Sequence, residues 1–551
     1  MESNKLILYQ VFTRLYGNRN ITRKENGSIE ENGCGKMNDF TPSALKKIRE
    51  MGVSHIWYTG IIRHATQTDY SGYGIPKNHS AVVKGRAGSP YAITDYYDVD
   101  PDLAVEVPQR MQEFEKLIER THKAGMKVII DFVPNHVARQ YHSICKPEGV
   151  KDLGQDDNPQ NGFDPQNNFY YCPGQRFTPY FDLYHGETEP YFEEPAKATG
   201  NDCFHNAPGM NDWYETVKLN YGLDYYAGRV GHFNPIPDTW GKMTDILLFW
   251  ARKGVDGFRC DMAEMVPSAF WQWATDKVKF AYPNIIFIGE VYDPSQYRTY
   301  IGAGFDYLYD KVGMYDVVRD VMCGRQSVHA ITGAWQATDD IRQHMLYFLE
   351  NHDEQRIASS FFAGDARKGV PGLVVSALLQ QNPLMIYAGQ EYGEKGMDKE
   401  GFSGNDGRTT IFDYWSIDTL VRAASRKLSK QEKDLKDIYN KVCQIATTEK
   451  AVVEGASFDL MYVNGQCQRQ YAFLRKAGAE TLLVVANFDD LPVEVNVTIP
   501  AHAFDFLGIK EKNAVATDLL TGTKHSLSLQ RDGVIPLSVS PLGAIVLKFK
   551  A

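Results

Sequence analysis

The sequence predicts an α/β chain: a (β/α)8 barrel with a small domain inserted after its third strand and a C-terminal antiparallel β-sandwich. Three observations predict it. Short, mostly apolar runs alternate with amphipathic helical segments, the pattern of buried parallel strands joined by crossover helices. The alternation stops for about a hundred residues, too many for an unstructured connection in a compact domain. From about residue 450 it gives way to alternating strands and turns. The expected boundaries are 1–136 and 236–448 for the two parts of the barrel, 137–235 for the inserted domain and 449–551 for the sandwich.

Residues 6–16 form the first apolar run, and a Gly- and Asn-rich loop follows. Ala44, Leu45, Ile48 and Met51 share a helical face, which Gly52 ends before strand two at 54–62. A helix near 107–125 carries Met111, Phe114, Leu117 and Ile118 in register, and strand three runs over 127–136. The segment 137–235 is rich in Gly, Pro, Asn and Tyr. Alternation resumes with a helix at 236–254 and strand four at 257–264. Further strands are expected at 284–292, 305–311, 344–353 and 383–391, making eight, and eight such units close naturally into a barrel. Beyond them, 470–475 and 481–488 read as a hairpin, with strands at 493–499 and 544–549.

With 551 residues the chain exceeds one compact core. Its 43% hydrophobic and 23% charged residues are those of an ordinary globular protein. A net charge of −10 without a basic cluster argues against nucleic-acid and anionic-membrane partners. No apolar run is long enough to span a bilayer. Eight scattered cysteines without a Cys-x-x-Cys argue against a zinc site or a disulfide scaffold. The polar N-terminus lacks a signal-peptide core, so a cytoplasmic location is expected, an exported protein with its signal removed being the alternative.

In such barrels chemistry sits at the C-terminal ends of the strands. Strand three ends on Asp131, Asn135 and His136, strand four on Arg259 and Asp261, strand five on Glu290, and strand seven on His352 and Asp353. Arg259 and Asp261 are two apart, so a strand aims both side chains to one face. There a guanidinium would keep the carboxylate ionised. Taken singly, this pair reads as a structural bridge and each of the others as a solvated loop residue. Several strand ends carrying such groups together are much harder to explain by chance.

The segments Asp131-Phe132-Val133-Pro134-Asn135-His136, Gly257-Phe258-Arg259-Cys260-Asp261, Gly289-Glu290-Val291 and Glu350-Asn351-His352-Asp353 resemble, in order, the four signature regions of the α-amylase family, glycoside hydrolase family 13. The resemblance extends to the whole architecture. It implies a retaining hydrolase of α-1,4 bonds in starch-type glucans or malto-oligosaccharides, with Asp261 as nucleophile, Glu290 as general acid/base and Asp353 as transition-state stabiliser. Such chemistry needs two carboxyl groups close together, one attacking and one protonating the leaving oxygen. Glu290 is therefore expected to have a raised pKa. The resemblance also makes His136 and His352 hydroxyl-binding histidines and, through Ser89–Tyr96, Tyr91 a ring stacked under the cleaved sugar. Asp131 is expected to orient a barrel neighbour.

Two departures qualify the resemblance. At Val217-Lys218-Leu219-Asn220, the family's fifth region, typical α-amylases place a calcium-binding aspartate where Lys218 stands. The form here resembles neopullulanases and cyclomaltodextrinases. A lysine cannot ligate calcium, which takes oxygen donors. No cofactor is therefore expected to be required, calcium through Asn135 and other ligands being the alternative, and the metal ligands stay unknown. Glu264 and Met265 replace a Lys–His pair on the leaving-group side of the cleft. The rival readings are an α-1,6-acting or transglycosylating relative and a non-catalytic sugar-binding barrel; such barrels lose catalytic carboxylates, and all three are present here.

Overall fold

The structure is a computed structural model that describes residues 5–396, 398–399 and 404–550. Eight strands, β1 (Ile7–Phe12), β2 (His55–Thr59), β3 (Lys127–Phe132), β4 (Gly257–Cys260), β5 (Ile286–Gly289), β6 (Tyr307–Tyr309), β7 (Met345–Phe348) and β8 (Leu384–Tyr387), close into a parallel barrel, with β8 paired back onto β1. Their side chains divide by the period of two. Ile7, Tyr9 and Val11 of β1 belong to the main core, whereas Leu8 joins Trp57, Ile129, Ile288, Leu346 and Met385 in a separate cluster.

The ladders are shorter than the apolar runs that predict them. Strand three stops at Phe132 rather than His136, and strand four at Cys260 rather than Glu264. The reason is local. Asp261 and Glu290 each lie one residue past their ladders, held by a last hydrogen bond from Asp261 N–H to the Phe132 carbonyl (2.9 Å) and from Glu290 N–H to that of Cys260 (3.1 Å). A side chain that must face the rim leaves the ladder there, and loops on a rigid scaffold are where such groups are usually found.

The helices follow from capping and burial. In α1 (Pro42–Glu50) the Thr41 hydroxyl accepts from Ala44 N–H, Pro42 sits in the first turn, and Leu45 and Ile48 are buried. In α2 (Arg110–Lys123) Phe114, Leu117 and Ile118 are buried. Next come α3 (Asp238–Lys253), α4 (Ser268–Ala281), α5 (Tyr297–Gly302), α6 (Asp316–Met322), α7 (His329–Gln336), α8 (Gly369–Leu378) and α9 (Lys430–Thr448), the last opened by a Ser429/Glu432 capping box.

Between β3 and α3 the chain forms short two-stranded ladders: 136–138 with 216–218, 171–172 with 196–197, and 223–224 with 230–231. The first pairs His136 with Lys218 and so anchors the insertion just past the end of β3.

The C-terminal strands are β9 (Ala456–Asp459), β10 (Gln470–Ala477), β11 (Glu480–Asn487), β12 (Val493–Ile499), β13 (Lys512–Asp518), β14 (Lys524–Leu529), β15 (Gly533–Val539) and β16 (Gly543–Lys550). Six form an antiparallel sheet in the order β9-β10-β11-β16-β13-β14, and β12 pairs with β15 to give the second layer. The expected hairpin is β10–β11, and its turn places Gly478 at φ 57°, where a side chain would be strained.

Two buried basic side chains hold the end of α8, and one of them, Arg475, ties it to the sandwich. Lys5 donates to the carbonyls of Ala377 and Gln380, and Arg475 from β10 donates to those of Leu379 (2.9 Å), Ala451 (3.0 Å), Val452 (2.8 Å) and Gly455 (2.8 Å). Both thus satisfy carbonyls at the C-terminal end of α8, where the helix dipole favours positive charge.

Candidate active site

Arg259, next to last in β4, is fully buried and organises the barrel rim. Its Nη1 donates to Asp261 Oδ1 at 2.7 Å and lies 3.5 Å from Asp131 Oδ1. Its Nη2 makes an ion pair with Glu290 Oε2 at 2.8 Å, and its Nε donates to the Tyr309 hydroxyl at 3.2 Å. The rings of Trp57, Tyr91 and Tyr309 surround the guanidinium at 5.0, 5.5 and 5.6 Å. One rigid fork therefore binds carboxylates from β3, β4 and β5 and holds Asp261 and Glu290 side by side.

Glu290 receives two further donors: Met262 N–H to Oε2 at 2.8 Å and the Tyr292 hydroxyl to Oε1 at 2.5 Å. Met262 adopts φ 44°, a left-handed conformation uncommon for its type, and this bend directs its N–H to Glu290. Asp353 lies beyond β7, its backbone N–H bonded to Asn351 Oδ1 at 2.9 Å and its carbonyl accepting from Arg408 Nε at 2.6 Å. Its side chain is 38% exposed, against 9% for Asp261 and 4% for Glu290, so the cleft opens on the Asp353 side.

Burial pushes three acids of this rim, Asp261, Asp353 and Asp131, above the ordinary carboxylate range. Burial pushes the Asp261 carboxyl above the ordinary carboxylate range; Arg259 pulls it down, and Glu290 and Asp353 push it up again. Asp353 is pushed up to about 7, first by burial and then by Glu290. Asp131 is raised to about 6 by burial, opposed by Arg259 and by donors from Trp57 Nε1 (3.0 Å) and Gly60 N–H (3.3 Å). The expectation that the guanidinium keeps this carboxylate ionised is thus met by a larger opposing cause: burial pushes the carboxyl up more than Arg259 pulls it down.

The other predicted site residues converge here. The Tyr91 hydroxyl meets Nε2 of His352, and the two rings lie 5.4 Å apart. His352 Nε2 is 3.1 Å from Asp353 Oδ2, while its Nδ1 faces Gln10 Nε2 at 2.8 Å. Burial, then Arg259, lowers the His352 pKa well below the usual imidazole value. His136 is also buried, its pKa lowered to about 3 by burial and by Lys218 and Lys84, so both histidines are neutral hydrogen-bonding groups. Asn135 Nδ2 lies 3.1 Å from His136 Nδ1.

The Lys218 ammonium donates to Asn135 Oδ1 and lies 2.7 Å from Asp202 Oδ1, over the Tyr225 ring at 5.5 Å. The oxygens that could face a divalent cation there are thus occupied by a fixed positive charge, and the residues present do not fit calcium at this position. Among the described residues, the one cluster of three potential metal ligands is Asp95, Asp98 and Cys145. Arg63 and Arg110 already pair with its acids.

Sequence reasoning missed four residues that complete the site: Gln10, Trp57, Tyr292 and Tyr309. Gln10 is a polar residue in a strand of otherwise apolar character, and Tyr292 follows Glu290 at strand spacing, so both left a signal. Trp57 and Tyr309 read as ordinary strand aromatics. Glu264 and Met265, with Asp202, Arg229, Phe233 and Asp293, line a groove of about 710 Å³ beside this centre.

A closed (β/α)8 barrel with acids, an arginine and two neutral histidines on its C-terminal rim, an insertion after strand three and a terminal sandwich defines a class of barrel glycosidases. The profile described as alpha amylase, catalytic domain, matches residues 23–449, and the chain belongs to the α-amylase family, glycoside hydrolase family 13. It is 24% identical over 453 residues to Alpha-amylase 3 of Dictyoglomus thermophilum, covering 78% of this chain and 81% of that one. It is 22% identical over 428 residues to Neopullulanase 2 of Thermoactinomyces vulgaris, covering 72% of this chain and 57% of that one. In fold it resembles a noncanonic maltogenic alpha-amylase, AmyB, from Thermotoga neapolitana (TM-score 0.63, 20% identity, 100% of both chains). It also resembles an alpha-amylase from Geobacillus thermoleovorans solved with acarbose (TM-score 0.66, 18% identity, 100% of this chain and 99% of that one). No helix among the described residues is long and apolar enough to cross a membrane.

Proposed function

We propose that this glycosidase cleaves α-1,4-glucosidic bonds of starch-type glucans or malto-oligosaccharides with net retention, using Asp261 as nucleophile, Glu290 as acid/base and Asp353 as stabiliser. The observation that carries the reading is the Arg259 fork, which sets an attacking and a proton-donating carboxyl side by side. In the first step Glu290 gives its proton to the glycosidic oxygen. That C–O bond breaks with its electron pair left on oxygen, and an Asp261 oxygen bonds to the anomeric carbon. In the second, Glu290 takes a proton from water, whose oxygen attacks the same carbon and releases Asp261. Asp353, the most exposed of the three, faces the sugar hydroxyls as positive charge develops. Tyr91 supplies a stacking face, and His136 and His352, both neutral, hydrogen-bond to sugar hydroxyls; Arg259 holds the acids. No step needs a metal. The division for this function is 1–136 and 236–448 for the catalytic barrel, 137–235 for the insertion that walls the cleft and 449–551 for the sandwich.

The groove beside Glu264 and Met265 favours a second reading, in which a sugar acceptor competes with water and the enzyme transglycosylates. Both readings are tested by incubating the protein with soluble starch and maltotriose and following products by proton NMR. We expect the α anomer to appear first and Asp261→Asn to abolish product formation. Appearance of the β anomer first would overturn the mechanism, and products longer than the substrate would establish the second reading.

A further inference from the structure

We propose that Tyr292 is a positioning residue for Glu290, and that Glu264 holds Tyr292 in place. The inference rests on the reading of Glu290 as acid/base. Glu290 Oε2 is engaged by Met262 N–H and by the Arg259 guanidinium, whereas among the described residues Oε1 is hydrogen-bonded by the phenol of Tyr292 alone, at 2.5 Å. The phenol thus sits on the one oxygen that neither backbone nor arginine holds. Its placement follows from Glu264, whose Oε2 accepts the backbone N–H of both Tyr292 (3.1 Å) and Asp293 (3.0 Å). The Glu264 carbonyl in turn accepts from the Tyr300 hydroxyl at 3.1 Å, which fixes the turn carrying it. A residue in the wall of the neighbouring groove is thereby coupled to the acid/base through two backbone N–H groups and one side chain.

The chemical consequence concerns one proton. A donor on Oε1 favours the carboxylate form of Glu290 and competes with the proton that must be delivered to the leaving oxygen. It also fixes the carboxyl plane, which proton transfer requires. The phenol is itself held protonated, first by burial and then by the Glu290 charge, so it acts as donor throughout. The other charged and titratable groups facing Glu290 are Arg259 from β4, Asp261 just past it, Asp131 from β3, Tyr309 from β6 and Asp353 beyond β7.

The test is Tyr292→Phe, assayed with maltotriose and with a 4-nitrophenyl α-maltoside whose leaving group departs without protonation. We expect kcat/KM for maltotriose to fall about tenfold and the nitrophenyl substrate to lose much less. The basic limb of the kcat/KM profile for maltotriose should move to higher pH by about half a unit to one unit. Glu264→Gln, which weakens the anchor without touching Glu290, should give the same pattern at smaller size and serves alone if Tyr292→Phe does not fold. Equal losses on both substrates with an unmoved basic limb would assign Tyr292 a merely structural role and overturn the proposal. If Glu290→Gln still cleaves maltotriose, the acid/base reading itself fails, whatever Tyr292→Phe does.

Discussion

Gln10 Nε2 lies 2.8 Å from Nδ1 of His352 and 3.1 Å from the Thr59 hydroxyl. With the amide donating, Nδ1 accepts, and the proton of the neutral ring sits on Nε2, toward Tyr91 and Asp353. Gln10→Met keeps the volume and removes the donor. We expect the histidine to become a mixture of tautomers, readable in its 15N NMR shifts, and kcat/KM to fall about tenfold, since a lost buried hydrogen bond costs about 1–3 kcal/mol. A single Nε2-protonated form in the variant would refute the link.

Asp261 and Glu290 share the Arg259 guanidinium, Asp353 stands across the cleft against His352, and the three should act as a unit. Asp261→Asn, Glu290→Gln and Asp353→Asn should each lower turnover on starch by about 10³-fold or more, and any pair of these changes should be little worse than the worse single change. Losses that multiply in the double variants would show three independent contributors.

The raised acids also make stability depend on pH. Asp261 and Asp353 hold protons in the native state at pH values where the unfolded chain has lost them, Asp353 up to about 7. Stability therefore falls as pH rises from about 4 through 7. Asp353→Asn removes one of these charges. Its melting temperature should exceed that of the parent by about 1 °C at pH 8, the shift that roughly 1 kcal/mol gives in a cooperatively melting chain of this length once solvent screening of the half-exposed carboxyl is allowed for, and match it at pH 4. A stabilisation that is the same at both pH values would contradict the assignment.

Lys218 stands where a calcium ligand is expected, so chelation with EDTA should leave turnover and melting temperature unchanged. Lys218→Ala should cost about 3 kcal/mol in stability by leaving Asp202 without its partner and Asn135 without its donor. A large drop in melting temperature on chelation, reversed by calcium alone, would show that a metal holds the insertion.

What was legible in the sequence followed from two periodicities and one motif order. The barrel strands were legible because each is a continuous apolar run, and Arg259, Asp261, Glu290 and Asp353 because they sit where such runs end. The ladder ends were not, since Asp261 and Glu290 leave the sheet within a residue of their last pair and composition carries no mark of that. Nor could spacing show that Trp57 and Tyr309, two unremarkable strand aromatics, stand from distant points of the chain around one guanidinium. The upward push on the Asp261 carboxyl was not legible for a similar reason. It depends on how deeply the site is buried, and burial of a rim is a property of loops from elsewhere.

Arg475 binds carbonyls on both sides of the junction, one at the end of α8 and three in the segment leading into β9, and Lys5 closes the same helix end from the N-terminal strand. Removing the sandwich would leave Lys5 in place but strip the Leu379 carbonyl of both Arg475 and the Ser457 hydroxyl, uncovering a buried polar group in an apolar setting. The barrel is therefore not an excisable catalytic module. The chain should melt in a single cooperative event, and proteolysis in the sandwich should release active-site protection as fast as it degrades the strands it cuts.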